Sequence, residues 1–288
     1  MKILKCKIVN NFYFNFAFCT LHFAFFNLLV SPLFALTETD IASYQREIAE
    51  RPIGERIALW AEKFVGTPYD PDPIGEYVTK KVIIADERVD CMYLSFRAIE
   101  LAMGDTTEES VRIALDKRFM GRGILKDGRV INYEDRFQYG EDMLDSGKWG
   151  REITGDIGPL ASIRGSRGRE KVGMISRETL IRLSKTTDKQ TTESRSSFHR
   201  LPLQSGDFVF FVKSPERRVA GEIIGHIGII KKEGKDIYLI HASGRKNHGN
   251  SHSSKTLWGD GNGEVKKVLF YDYVRTMPFV GIRVSRFN

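Results

Sequence analysis

Apolar positions recur at helical spacing through residues 40–66, where Ile57, Trp60, Ala61 and Phe64 form one stripe. A second helical pattern follows Asp90. In CMYLSFRAIELAMG, Leu94, Ala98, Leu101 and Ala102 share a face, Asp90 stands where a cap belongs, and Gly104 stops the helix. Between the two, GTPYDPDP (66–73) reads as a Pro-rich loop with turn chemistry at DPDP, and KVIIA (81–85) as a short strand. Residues 105–204 are mostly polar, with helical pieces at 107–118, 134–146 and 177–184 and exposed, mobile loops at 165–171 and 185–197. The period then changes. FVFFV (208–212), HIGII (226–230), IYLIHA (237–242), KKVLFYDY (266–273) and FVGIRV (279–284) read as successive strands, with a long polar loop at 244–263. Helices first and an antiparallel sheet second predict an α+β layout, with the helix that opens at Cys91 packed on the sheet.

The N-terminus changes the picture of where such a domain works. Lys2, Lys5 and Lys7 precede a run from Ile8 to Leu36 without a charged residue, and Ala35 stands before LTETD. This reads as a secretory signal over residues 1–35, although the run is also long enough to stay in a membrane as an anchor. The expectation is a periplasmic or secreted domain over 36–288, monomeric and with no stable membrane insertion once the signal is removed. A long insertion near 105–204 belongs to it. At about 250 residues it can bury a sufficient core.

Cys6 and Cys19 fall in the leader, so Cys91 is the one thiol left of three and no internal disulfide can form. Cysteine-based metal sites are excluded by count. The net charge of +7 drops to +4 without the three leader lysines, since 41 basic residues then face 37 acidic ones. Such a mild excess suits solubility or attraction to an anionic envelope polymer. No aromatic–basic interleaving points to nucleic acid.

Candidate chemistry gathers on three residues. Cys91 opens a helix, whose positive end lowers a thiol pKa from its usual ~8.5, as a nearby imidazolium also does. The first N–H groups of a helix have no intrahelical partner, so they suit a developing oxyanion. His226, in GHIGII, and His241, in YLIHAS, sit in apolar strand contexts. If their strands pair with one parity, the rings share a face and one imidazole orients the other. A lone cysteine is more often a small buried apolar side chain, and a strand histidine a satisfied core residue. The joint pattern points to a thiol nucleophile with a base and an orienting third group. His241, His248 and His252 do not make a recognised zinc spacing, and His199 with Arg200 is as well explained by solvent contact as by an acidic substrate.

GTPYD, VDC, SGDFVFF, GHIGII and LIHAS occur in the order seen in the NlpC-type, papain-like cell-wall peptidase superfamily, which the chain resembles over residues 50–286. YEDRFQYGEDML (133–144) and FVGIRVSR (279–286) are similar to one branch, the N-acetylmuramoyl-L-alanine amidase-like proteins. The resemblance implies a papain-like fold, no cofactor or metal, and hydrolysis of an amide in peptidoglycan or muropeptides. Cys91 would be the nucleophile, His226 the general base and acid, and His241 the orienting member. Tyr69 matches a loop tyrosine over the active site, and Asp90 a residue that binds a substrate amine, although Asp90 also suits a plain helix cap. Met92 and Tyr93 depart from the small residues that usually follow Asp-Cys. The leading expectation is cleavage of the N-acetylmuramoyl–L-alanine bond. The alternatives are a γ-D-glutamyl-diamino acid endopeptidase of the same fold, a non-catalytic envelope-binding module, or an acyl-transfer protein.

Overall fold

The computed structural model describes residues 36–70, 74–184, 201–244 and 263–288. The leader, residues 71–73 of DPDP, the 185–197 loop, His199, Arg200, His248 and His252 lie outside the described residues.

Pro52, which lacks a backbone N–H, splits the first helical stretch into α1 (Glu38–Ile48) and α2 (Ile53–Lys63). Thr37 and Asp40 close a capping box on α1. After the short α3 (Glu76–Thr79), the expected strand at 81–85 is absent. That segment is irregular because Lys81 turns through a φ of 56° and Ala85 donates its N–H to the Tyr93 hydroxyl rather than to a strand.

α4 (Cys91–Met103) starts and stops as its sequence indicates, with the Asp90 side chain accepting the Tyr93 N–H at 2.6 Å. Every residue from Met92 to Ala102 is buried, so its polar members need partners inside the protein. Arg97 donates twice to Asp86, at 2.7 Å each. Arg118, just past α5 (Thr107–Lys117), grips Glu100 at 2.5 and 2.7 Å. Arg97 and Glu100 approach to 3.4 Å, which joins the two pairs into one buried chain of alternating charge.

The middle segment builds more than helices. It supplies a small hairpin, β1 (Leu125–Lys126) and β2 (Arg129–Val130), then α6 (Gly140–Asp145), β3 (Arg151–Glu152), α7 (Thr154–Ile157), β4 (Ala161–Arg164), β5 (Lys171–Ser176) and α8 (Arg177–Ser184). The C-terminal third adds β6 (Phe208–Val212), β7 (Ile224–Glu233), β8 (Asp236–Ser243), β9 (Glu264–Leu269), α9 (Phe270–Thr276) and β10 (Gly281–Arg286). The expected strand at 266–273 is therefore half strand and half helix. The main sheet runs β4-β5-β10-β6-β7-β8-β9, with β3 also paired to β10. Its pairings are antiparallel.

Three strands of this sheet come from the polar middle segment, so that segment is part of the sheet and not an appendage. Its loop at 165–171, expected to be mobile, is the turn between β4 and β5. Arg167 and Arg169 tie it to Asp142 at 2.9 Å each, and Arg169 also meets Asp145 at 2.6 Å.

β6 is buried along its whole length and separates two apolar layers. Phe208, Phe210 and Val212 face the core built on α2 and α4, while Val209 and Phe211 face the core that includes α8 and α9. The alternation follows from the two-residue period of a strand. No helix among the described residues is long and apolar enough to cross a membrane.

Candidate functional site

One end of the sheet gathers the beginning of β7, the end of β8 and the loop that precedes α4. His226 pairs with Phe211 across β6 and β7. Ile229 pairs with Ile240 across β7 and β8, which gives His226 and His241 the same parity and hence the same face. The expected approach of the two rings is realised. Their centroids are 5.0 Å apart with planes at 87°, and Nε2 of His226 lies 2.9 Å from Nδ1 of His241.

Around this pair stands an aromatic wall. Phe211 and Phe279 stack on His226, with centroids at 5.7 and 6.2 Å. Tyr273 approaches His241 edge-on at 4.8 Å. Burial among these rings pushes the His226 pKa well below the usual imidazole value, and the neighbouring His241 adds to the effect. His241 is pushed down to about 4, first by burial and then by the positive Lys266. Both rings are therefore neutral at pH 7.

Cys91 is half-buried at the first position of α4, and it is the cysteine found among the described residues. The bulk of α4 packs on the opposite layer from His226 and His241. The link between them is Tyr273, whose pKa is raised first by burial and then by the charge of Cys91. The sulfur is thus within electrostatic reach of the ring that touches His241. Tyr273 carried no signal in the sequence, because LFYDY continues the strand pattern of β9 and gives no hint of the turn into α9. An amphipathic reading of 270–276, with Phe270 and Val274 on one face, would have found it.

Tyr69 comes to the same end of the molecule. It bridges to Val89, two residues before Cys91, and its N–H donates to the Gly263 carbonyl at 2.8 Å. A Cβ at Gly244 would stand 3.1 Å from its ring, so glycine lets the end of β8 pass beneath it. Asp90 is 2 % exposed. One of its oxygens caps α4 through Tyr93 and the other accepts from the Tyr77 hydroxyl at 2.9 Å. The helix-cap alternative for Asp90 therefore has geometry behind it, whereas a substrate amine would have to compete with Tyr77 for a buried carboxylate.

The architecture has relatives among solved structures. An N-acetylmuramoyl-L-alanine amidase from Bacteroides uniformis superposes with a TM-score of 0.54 at 17% identity, covering 81% of this chain and 97% of its own. A DUF1460 protein from Legionella pneumophila gives 0.58 at 15% identity, over 86% of this chain and 93% of its own. A Bacteroides fragilis structure carrying a xylanase name gives 0.51 at 19% identity, over 78% and 97%. At such identities the likeness establishes a shared fold. No family model matches the chain, and no curated protein matches it by sequence. The names differ among structures of one architecture, so function has to be argued from the site.

Proposed function

We propose that the protein is a cysteine hydrolase that cleaves an amide in peptidoglycan or its fragments, in a papain-like, NlpC-type fold. The observation that carries this reading is the 2.9 Å contact between Nε2 of His226 and Nδ1 of His241. It uses Nε2 of His226 and leaves Nδ1 as the nitrogen for the thiol. For Nδ1 to accept a proton, Nε2 must carry one and donate it to Nδ1 of His241, which fixes both tautomers. Cys91 then attacks the carbonyl as its proton passes to His226 Nδ1. The first amides of α4 hold the oxyanion, and His226 returns the proton to the departing amine. Water repeats the cycle on the thioester. His241 stays neutral and keeps the ring of His226 aimed.

The amide chosen is the N-acetylmuramoyl–L-alanine bond. A γ-D-glutamyl-diamino acid endopeptidase needs a carboxylate to hold a free L-alanine amine. Asp90 is 2 % exposed and already accepts from the Tyr77 hydroxyl and the Tyr93 N–H, so little of it is open to such an amine, which favours a substrate without one. The name borne by one solved structure of the same fold, an N-acetylmuramoyl-L-alanine amidase, supports the same choice. The proposal extends to residues 1–35 as an export signal and to a periplasmic or secreted site of action on soluble muropeptides.

The test is mass spectrometry of a sugar-bearing muropeptide incubated with residues 36–288, beside Cys91→Ala. Free peptide plus sugar, lost in the variant, supports the amidase. A sugar–L-Ala–D-Glu product would move the assignment to the endopeptidase. No cleavage by either protein would leave envelope binding or acyl transfer as the activity to seek.

A further inference from the structure

β7 does not run smoothly into His226. Phe211 pairs with His226, but the next residue, Val212, pairs with Ile224. Gly225 is the extra residue of a β-bulge immediately before the proposed base. A bulge bends its strand and re-aims the side chain beside it. It also frees backbone N–H groups from the ladder, which cannot be left unsatisfied where they are buried.

The two amides just ahead of the bulge go to one side chain. Ile223 N–H donates to Oε1 of Glu141 and Ile224 N–H to Oε2, both at 3.1 Å. Glu141 is wholly buried in the first turn of α6, and Arg167 approaches its Oε1 to 3.4 Å. Arg167 is itself held over the Tyr139 ring at 3.6 Å and by Asp142 at 2.9 Å. Two glycines permit the close fit. A Cβ at Gly140 would fall 2.6 Å from the Ile224 side chain, and one at Gly225 would fall 2.3 Å from that of Lys213. None of these residues has a part in the chemistry proposed above, yet all converge on the three residues that precede His226.

We infer that Glu141 is a positioning residue: its carboxylate clamps the β7 bulge and thereby sets the direction of the His226 ring. The inference rests on the proposed role of His226 as base. It gives the middle segment a task at the site, since α6 and the β4–β5 turn together carry the clamp. The carboxylate suits the task because it has two acceptor oxygens, spaced to take two successive amides, and no donor that would repel them.

Glu141→Gln keeps the shape but replaces one acceptor with a donor and loses the ion pair with Arg167. On a sugar-bearing muropeptide, kcat should fall about 10- to 100-fold with KM little changed, the size of effect expected from a misaimed base. The pH dependence of Cys91 alkylation by iodoacetamide should move towards that of His226→Ala. A part that is merely structural would lower the melting temperature and leave that profile in place. Wild-type kcat and alkylation profile in Glu141→Gln, with His226→Ala impaired, would overturn the inference. If His226→Ala itself matches the wild type, the functional reading falls first and takes the inference with it. A variant that fails to fold leaves a measurement on the unaltered protein. The Ile223 and Ile224 amides should exchange slowly with solvent deuterium, and exchange at the rate of an open loop would show that no clamp exists.

Discussion

Nε2 of His226 meets Nδ1 of His241 at 2.9 Å with the two rings nearly perpendicular. One hydrogen bond of this kind couples the two tautomers, and in the proposed mechanism it makes the two histidines unequal: His226 takes the proton from the thiol, and His241 supports it.

Substitutions should follow that inequality. Cys91→Ala should abolish turnover, and His226→Ala should lower kcat about 100- to 10,000-fold, the usual contribution of a general base. His241→Asn should be much milder than His241→Ala, because an asparagine oxygen still accepts from Nε2–H of His226. Steady-state kinetics on one defined muropeptide checks the order.

The histidine pair also predicts how stability responds to acid. An unfolded His241 titrates near 6.5, whereas the folded one is pushed down to about 4. Between these values the unfolded chain binds more protons, so stability is intact above pH 6.5 and declines as pH falls through the window towards 4. The full loss from this residue is about 3 kcal/mol. Urea melts at several pH values should show His241→Asn less sensitive over the same window than the wild type. Equal sensitivity would remove the burial argument.

Tyr273→Phe is the third case. The ring stays against His241, while the hydroxyl that senses the Cys91 charge is lost. Melting temperature should stay within a few degrees of the wild type, and the rate of Cys91 alkylation should change at fixed pH. An unchanged rate would mean that the hydroxyl has no part in the electrostatics of the thiol.

The charge chain behind α4 makes a prediction of stability alone. Asp86→Asn leaves Arg97, which is 1 % exposed, with a weakened partner, and Glu100→Gln does the same to Arg118. Removing one member of a buried pair costs about 3–5 kcal/mol. Each variant should melt well below the wild type, and the double change Arg97→Met with Asp86→Leu should recover part of the loss, as read by calorimetry.

What was legible in the sequence is uneven for physical reasons. β6 and α8 appear at their expected bounds, since FVFFV is a buried apolar run and RETLIRLS has a clear helical stripe. α4 was legible from its cap, its stop and its apolar face. β4 and β5 were not, because ASIR and KVGMIS are short and carry too few apolar residues to show a period. KVIIA was misleading, since its apolar residues are held by Tyr77 and Tyr93 from other elements and not by a strand partner. At the site, the meeting of His226 and His241 followed from strand parity. Tyr273 and Glu141 did not, because each reaches the site from an element whose placement depends on tertiary contacts.

The sheet order has a consequence for how the chain is made. β10 lies between β5 and β6, so an interior strand is synthesised after both of its neighbours. Until residues 281–286 arrive, the strands from the middle segment and those bearing the histidines are two separate ribbons with bare facing edges. Such edges recruit other chains, and this topology keeps them open through translation. Removing β10 would therefore expose an adhesive seam between β5 and β6.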